Sequence, residues 1–306
     1  MNQINHHKLL RRASYLSVLI ATLILTTKIY AWVITDSASV FASLIDSSLD
    51  ITSSFITMIA LRLSLVPPDD NHRFGHEKIQ DLAVFGQAMF FIASSIFVIF
   101  SALEHLQKQV VVTNPTTAIY VMIIPIIATV ILLAYQQYVI SITNSYVIKA
   151  DKLHYVTDLL ADFSVIISIY ASSTYWFLDA VFAILIGIYL FFGSYKILST
   201  ALLNLLDAEF SKTEKLKIFD IINHHKNIGN IISFHDLKTR KAGDKHFIQF
   251  HLVMNAEKTL KEVHEISELI EHKLLQDFVG AEVIIHQDPE GYDEDIAFRE
   301  DFDDNK

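Results

Sequence analysis

The chain of 306 residues contains no cysteine, which excludes disulfide bonds and metal sites built from thiolates. Any transition-metal site must therefore use imidazole and carboxylate ligands, and 14 histidines supply the imidazoles. Positive charge is also scarce, because 24 Lys and Arg residues face 34 Asp and Glu residues. The resulting formal charge of -10 argues against a nucleic-acid partner. No internal repeat or low-complexity linker is evident.

Apolar residues make up 52% of the chain, and its mean hydropathy of +0.38 is too high for an ordinary soluble protein. Six apolar segments are each near or above the length of about 20 residues that crosses a bilayer as a helix. They cover roughly residues 14–34, 37–65, 81–104, 117–142, 148–172 and 176–204. The sequence therefore predicts a bundle of six transmembrane helices over residues 14–207, after a short N-terminal segment at 1–13.

The basic residues near the spans set the expected orientation. They concentrate before the first span and at every second connection, whereas the alternate connections carry little more than Lys108. The positive-inside rule then places both termini in the cytoplasm. These residues are Lys8, Arg11, Arg12, Arg62, Arg73, Lys78, Lys149 and Lys152.

After Asp207 the composition changes to that of a soluble domain. Periodicity predicts a helix, two strands, a second helix and a final strand, which is an αββαβ order. Such an order suggests a small sheet with helices on one face, and hence an α+β cytosolic domain over residues 208–290. The acidic tail at 291–306 is expected to be disordered.

Two pairs of possible metal ligands lie inside the predicted spans. Asp46 and Asp50 share the second span, and His154 and Asp158 share the fifth. Each pair is spaced i, i+4, so both members project from one face of a helix. Ionisable residues at bilayer depth are costly and commonly mark an ion or proton path. Three carboxylates and one imidazole also form a complete ligand set for a divalent metal ion, which points to a metal transporter.

His154 offers a way to couple metal to protons. An imidazole titrates near neutral pH, and metal ligation requires its neutral form. We therefore expect His154, with Asp50 and Asp158, to release protons when metal binds and to take them up when it leaves. Asp162, one turn beyond Asp158, is a further candidate proton site, and Lys28 in the first span can extend to the membrane interface.

Two more clusters of possible ligands lie outside the spans. Asp69, His72 and His76 fall within eight residues of a cytoplasmic loop; the alternative is an ordinary solvated loop. The soluble domain offers a further histidine set, in which alternation puts two strand residues, His286 and Asp288, on the same side. Histidines at a subunit interface are the alternative there. The full set is His235, His251, His264, His286 and Asp288.

The chain resembles the cation diffusion facilitator family, and in particular its bacterial zinc and ferrous-iron efflux pumps, which are metal/proton antiporters. The resemblance covers residues from about 10 to 290. It rests on ASLIDSSLD, PPDDNHRFGHEK, KADKLHYVTD, HDLKTRKAG, FIQFHL and VIIHQDP.

This resemblance implies a homodimer in the bacterial inner membrane, with a metallochaperone-like, ferredoxin-related cytosolic domain. It implies that the four residues in the spans form the transport site, namely Asp46, Asp50, His154 and Asp158. It also implies that the loop cluster of Asp69, His72 and His76 is a second site. The histidine set of the soluble domain would then be a metal site at the dimer interface, with Gln287 beside it. Lys78 and Asp207 match a charged interlock of the dimer at the membrane surface.

The sulfur-free ligands suit Zn²⁺, Fe²⁺, Mn²⁺ or Cd²⁺. We expect Zn²⁺ both as substrate and as a structural ion, with Fe²⁺ and Cd²⁺ as further candidates. No HExxH motif occurs, so an intramembrane metalloprotease, and with it an enzymatic function, is not expected. A membrane metal sensor and a passive divalent-metal channel are the remaining alternatives. Strong chelation disfavours the channel, because conduction requires ions to leave readily.

Overall fold

The computed structural model describes residues 3–35, 38–108, 115–171 and 177–291. The chain divides after Leu202 into two compact units, of which the first is helical and the second contains a small sheet. Each unit is described by itself below.

Six long helices lie within the described ranges up to Leu205 and follow the six predicted segments. The first helix begins well before the predicted start because apolar side chains continue its inner face, so that Leu10 and Ala13 are buried among the other helices. The helices are α1 (Gln3–Thr35), α2 (Ala38–Ser64), α3 (Lys78–Lys108), α4 (Pro115–Thr143), α5 (Tyr146–Ala171) and α6 (Leu178–Leu205).

Length and composition qualify α1, α3, α4 and α6 to cross a membrane, and among the described residues these are the four helices that do. The other two, α2 and α5, are those that carry the candidate metal ligands. Each of these two helices carries carboxylates and several hydroxyl side chains within its apolar segment. The helical membrane domain is thus confirmed, and the crossing of the membrane by α2 and α5 stays a prediction.

Neighbouring helices surround α2 and α5. The second helix packs against α1 and α3, and the fifth packs against α2, α3 and α4. Polar side chains join them: the Gln87 amide of α3 donates to the Thr57 hydroxyl of α2 at 2.7 Å and to the Ser53 carbonyl at 3.0 Å. Such bonds satisfy polar groups where lipid offers no partner.

The second unit has the predicted αββαβ order. The elements are α7 (Lys212–Asn227), β1 (Ser233–Ala242), β2 (Lys245–Met254), α8 (Leu260–Asp277) and β3 (Glu282–Pro289). The central strand β2 pairs antiparallel with β1 and parallel with β3, so α8 forms the crossover connection. Both helices start with a capping box, in which Ser211 or Thr259 accepts from the third helical N–H while a Glu side chain accepts from the cap backbone.

Alternation along β2 separates an apolar face from a polar one. Ile248, Phe250 and Leu252 are almost fully buried against α7 and α8. His251 therefore points to the opposite face, as predicted from the period of two. Strand register then fixes its neighbours, because His235 of β1 and His286 of β3 are both directly opposite His251.

Candidate metal centres

The membrane unit brings together three of the four predicted transport-site residues. Asp50 of α2 and both His154 and Asp158 of α5 each offer one ligand atom, and these atoms lie within 4.8 Å of one another. His154 Nε2 is 2.9 Å from Asp50 Oδ1 and 3.4 Å from Asp158 Oδ2. When Nε2 carries a proton, it donates that proton to Asp50 Oδ1, while Asp158 Oδ2 lies at ion-pair distance from the same nitrogen.

The fourth predicted ligand is only partly visible. Asp46 lies in α2 one turn before Asp50, but its side chain is outside the described residues. Its role as a ligand therefore stays a prediction.

A residue that the sequence analysis missed fixes the plane of the His154 ring. Phe91 of α3 is 2% exposed, and its ring stacks on the imidazole with centroids 4.9 Å apart and planes 10° apart. The stack holds the imidazole edge, and so Nε2, toward the carboxylates. No motif could have revealed this, because a phenylalanine in an apolar span has the same sequence signature whether or not it meets a ligand.

Asp162 is half-buried on α5, one turn beyond Asp158, and is not part of the three-residue cluster. Lys28 of α1 interacts electrostatically with both of these carboxylates. Lys28 thus places a positive charge near Asp158 and Asp162, and the predicted proton role of Asp162 remains a prediction.

The loop after α2 brings Asp69, His72 and His76 together as predicted. Asp69 Oδ1 is 3.2 Å from His72 Nδ1, and Asp69 Oδ2 is 3.3 Å from His76 Nε2. The backbone N–H of His72 donates to Asp69 and is the largest cause that lowers the pKa of this carboxyl. Gly75 has a φ of +94°, which allows the sharp turn that returns His76 to the cluster.

The sheet of the second unit gathers three histidines around one carboxylate. Asp288 of β3 is 3.0 Å from His251 Nδ1 and 3.7 Å from His235 Nε2 through Oδ2. Its other oxygen, Oδ1, is 3.2 Å from His286 Nε2. The donors of this group, three imidazoles and an almost fully buried carboxylate, are those that zinc prefers where thiolates are absent.

Two further residues, His264 expected in this site and Gln287 expected beside it, lie apart from the group within one chain, and their part in a site between two chains stays a prediction. His264 is on α8 with its side chain 64% exposed, 3.5 Å from Glu268. Gln287 donates to Ser267 at 3.0 Å and alternation turns it away from its neighbours in β3. Asp236, which was not predicted, lies at the edge of the group: its carboxylate is 3.8 Å from His251 Nε2 and pairs with Lys238 Nζ at 2.7 Å.

Asp236 reaches this position through a β-bulge. The pairing of β1 with β2 shifts between His235 and Lys238, and Asp236 has a φ of +51°. A bulge redirects one side chain without disturbing the rest of the ladder. The adjacent letters HD were the only signal for this residue in the sequence.

The predicted interlock residues fall in different units. Lys78 opens α3 of the first unit. Asp207 belongs to the second unit, has a φ of +55° and lies 3.3 Å from Arg240 Nη1. The interlock of Lys78 with Asp207 therefore stays a prediction.

The family model for the cation efflux transmembrane domain matches residues 14–206, and the model for the cytoplasmic domain of cation efflux proteins matches residues 212–290. The chain belongs to the cation diffusion facilitator family. This family consists of transmembrane cation efflux transporters and is not a class of enzymes. Its second matched domain is the dimerisation domain of cation efflux proteins.

Individual relatives cover almost the whole chain. Protein p34 of Rickettsia rickettsii is 48% identical over 300 residues, which is 98% of this chain and 99% of that protein. The cation-efflux pump FieF of Escherichia coli is 36% identical over 290 residues, or 94% of this chain and 95% of the pump. A solved structure of CzrB in its zinc form is 32% identical and covers 28% of this chain and 96% of its own, with a TM-score of 0.26.

Proposed function

We propose that this protein exports divalent metal ions from the cytoplasm in exchange for protons. Zn²⁺ is the main proposed substrate, with Fe²⁺ and Cd²⁺ as further candidates. The protein acts as a homodimer in the bacterial inner membrane, with both termini in the cytoplasm. Membership of the cation efflux family supports export, and the ligand atoms near His154 support the choice of ions.

A single observation carries the proposal of antiport. His154 Nε2 faces both Asp50 and Asp158, so a proton on this nitrogen would take the place of a metal ion ligated by the same three residues. Metal and proton therefore compete for one nitrogen lone pair. An ion that arrives from the cytoplasm displaces the Nε2 proton, and reprotonation from the outer side displaces the ion.

Alternating access completes the cycle. The inward-facing state accepts the ion, a rearrangement of the helices exposes it outward, and the proton gradient favours the release of metal by mass action. Metal bound by the cytosolic domains of the dimer would favour the transport-competent state, because a ligand shifts a conformational equilibrium toward the state that binds it more tightly.

Zinc-driven proton release from proteoliposomes tests the proposal, with Fe²⁺ and Cd²⁺ measured in the same assay. We expect Asp50→Ala and His154→Ala each to reduce zinc flux about 100-fold or more, because loss of even an outer partner of a metal ligand costs 10- to 100-fold. Asp70→Ala is the matched control, since this carboxylate is exposed and pairs with Arg73. It should transport like the wild type.

Three results would contradict parts of the proposal. Undiminished flux in either variant would remove that residue from the transport site. Zinc movement without proton movement would identify a passive channel. Zinc binding without flux would identify a metal sensor.

A further inference from the structure

Asp151 is a fully buried carboxylate that the transport site does not use. It lies on α5 one turn before His154 and is 0% exposed. Its Oδ2 accepts from the Ser17 hydroxyl of α1 at 2.7 Å and from the Gln136 amide of α4 at 2.8 Å. These two bonds connect α1, α4 and α5 through one oxygen atom.

The second oxygen of the carboxylate is not satisfied in this way. Asp151 Oδ1 and Gln136 Oε1 are both buried, and neither has a hydrogen-bond partner of ordinary geometry among the described residues; the Ser54 hydroxyl acts only weakly on the Asp151 carboxylate. Two buried acceptors without donors are unusual, because each loses its hydrogen bonds to water without replacement. A proton on Oδ1 would remove the buried negative charge and turn this acceptor into a donor.

The groups around Asp151 offer little fixed positive charge. The neighbouring helices present neutral side chains to it, namely Ser17 of α1, Ser54 of α2 and Gln136 of α4. The titratable groups that interact with it electrostatically are His154 and Tyr155 of its own helix. The Tyr155 hydroxyl donates to the Ser17 carbonyl at 3.3 Å and lies 2.7 Å from Ser54 Oγ.

We propose that Asp151 is a proton-binding site of the transport cycle, separate from the metal ligands. It holds a proton on Oδ1 while the transport site lacks metal and releases it when a divalent ion binds at His154. On release the O–H bond breaks, the electron pair stays on Oδ1, and the proton passes to water. The same bond forms again after the metal leaves. The inference rests on the proposed antiport function.

Electrostatics supply the coupling between the two sites. Three residues of helix separate Asp151 from His154, a rise of about 4.5 Å. His154 acts electrostatically on Asp151, and in a medium of low dielectric constant a divalent cation bound at His154 favours an ionised carboxylate over a neutral one. Occupancy of the transport site therefore decides the charge of Asp151 without direct ligation.

The test is the number of protons exchanged per zinc ion by Asp151→Asn in proteoliposomes. The amide keeps an acceptor for Ser17 and offers a donor to Gln136 Oε1, but it cannot exchange a proton. We expect zinc flux to persist while the ratio falls by about one proton per zinc ion relative to wild type. The control is Ser14→Ala on the same helix, which removes a buried hydroxyl bonded to the Arg11 carbonyl and no titratable group, and which should leave the ratio unchanged.

The outcomes separate this inference from the function on which it rests. An unchanged ratio in Asp151→Asn, with wild-type protein that exchanges protons, overturns the role of Asp151 alone. Wild-type protein that moves zinc without protons overturns the antiport function itself.

Infrared difference spectra provide a second measurement if the Asn variant does not fold. The carbonyl stretch of a protonated carboxyl group should be present in zinc-free protein, vanish with zinc, and shift in Asp151→Glu. A spectrum without this band, or a band that Asp151→Glu leaves in place, would also overturn the inference.

Discussion

At the scale of single residues, the proposed chemistry is concentrated on one nitrogen atom whose direction depends on an aromatic neighbour. Phe91 contributes no ligand, yet its ring lies flat against the imidazole of His154. Packing of this kind reduces the freedom of a ligand before the ion arrives, which is a recognised requirement for a well-ordered metal site. The ion then meets an imidazole that already points at its partners.

Replacement of Phe91 by Leu should therefore weaken zinc binding without removing a ligand. A stacked aromatic pair is worth about 0.5 to 1.5 kcal/mol, so we expect the KM for zinc to rise about 2- to 10-fold. Zinc uptake by inside-out vesicles over a concentration series measures this change. The control is Phe97→Leu, an equal loss of volume on the same helix at a side chain that is 74% exposed. Equal KM values in the two variants would show that the stack has no influence on the ligand.

Spacing alone predicted the ligands but not the residues that support them. Two residues four apart on a helix share a face in any fold, so Asp50, His154 and Asp158 could be selected from the sequence. Asp151 could not, because it stands between Lys149 and Lys152 and resembles a charged residue at a membrane surface. Its burial depends on Ser17 and Gln136, which come from other helices.

At the scale of elements, the cytoplasmic sheet shows how alternation gives one strand two separate tasks. The buried residues of β2 hold α7 and α8, and its opposite face holds His251. The period of two predicted both faces, but the bulge at Asp236 carries no turn motif and remained unpredicted. The same strand also contains a histidine that serves packing and not ligation, namely His246.

His246 should make the stability of this domain depend on pH. Its ring lies 5.2 Å from Phe210 and 5.6 Å from Phe278, and burial lowers its pKa from 6.5 to about 4. The unfolded chain then binds more protons than the folded one between these values. The contribution of the neutral, buried His246 to the free energy of unfolding is therefore complete above pH 6.5 and is lost as the pH falls toward 4.

The measured quantity is the free energy of unfolding of wild type minus that of His246→Gln. We expect this difference to fall by up to about 2 kcal/mol when the pH is lowered from 7.5 to 5. Hydrogen–deuterium exchange of the β2 amides, corrected for intrinsic rates, reports this difference. His272→Gln, at an exposed histidine of α8, is the matched control substitution. A pH-independent difference between wild type and His246→Gln would show that His246 titrates alike in the folded and unfolded states.

At the scale of the whole molecule, the described residues contain three separate groups of possible ligands. One lies in the membrane unit, one in the loop after α2, and one in the cytoplasmic sheet. The order of the two domains and the αββαβ succession could be predicted from composition and periodicity. Strand register could not, because it depends on packing between distant segments.

Asp288→Asn should separate the sheet cluster from transport. Asp288 lies within 3.7 Å of a ring nitrogen of His251, His235 and His286, so its loss affects the cluster as a whole. We expect the bound zinc of the purified protein to fall by about one ion or more per chain. Zinc should also stabilise the dimer less strongly, while flux at saturating zinc persists. Elemental analysis and sedimentation velocity measure the two effects.

The matched control for this variant is Asp277→Asn, a carboxylate at the end of α8 outside the cluster. Unchanged zinc content in Asp288→Asn would refute the sheet cluster as a metal site. Complete loss of flux at saturating zinc would instead make the cluster an obligatory part of the transport path.

The aligned histidines of the sheet have a further consequence for how the domain folds. His235, His251 and His286 are at matched positions on three neighbouring strands. A slip of any strand by one residue would turn its imidazole to the opposite face. Only a correctly paired sheet can hold an ion with all three, and an ion that binds only this arrangement increases its population. The transported metal would thereby favour the correctly paired fold of its own exporter.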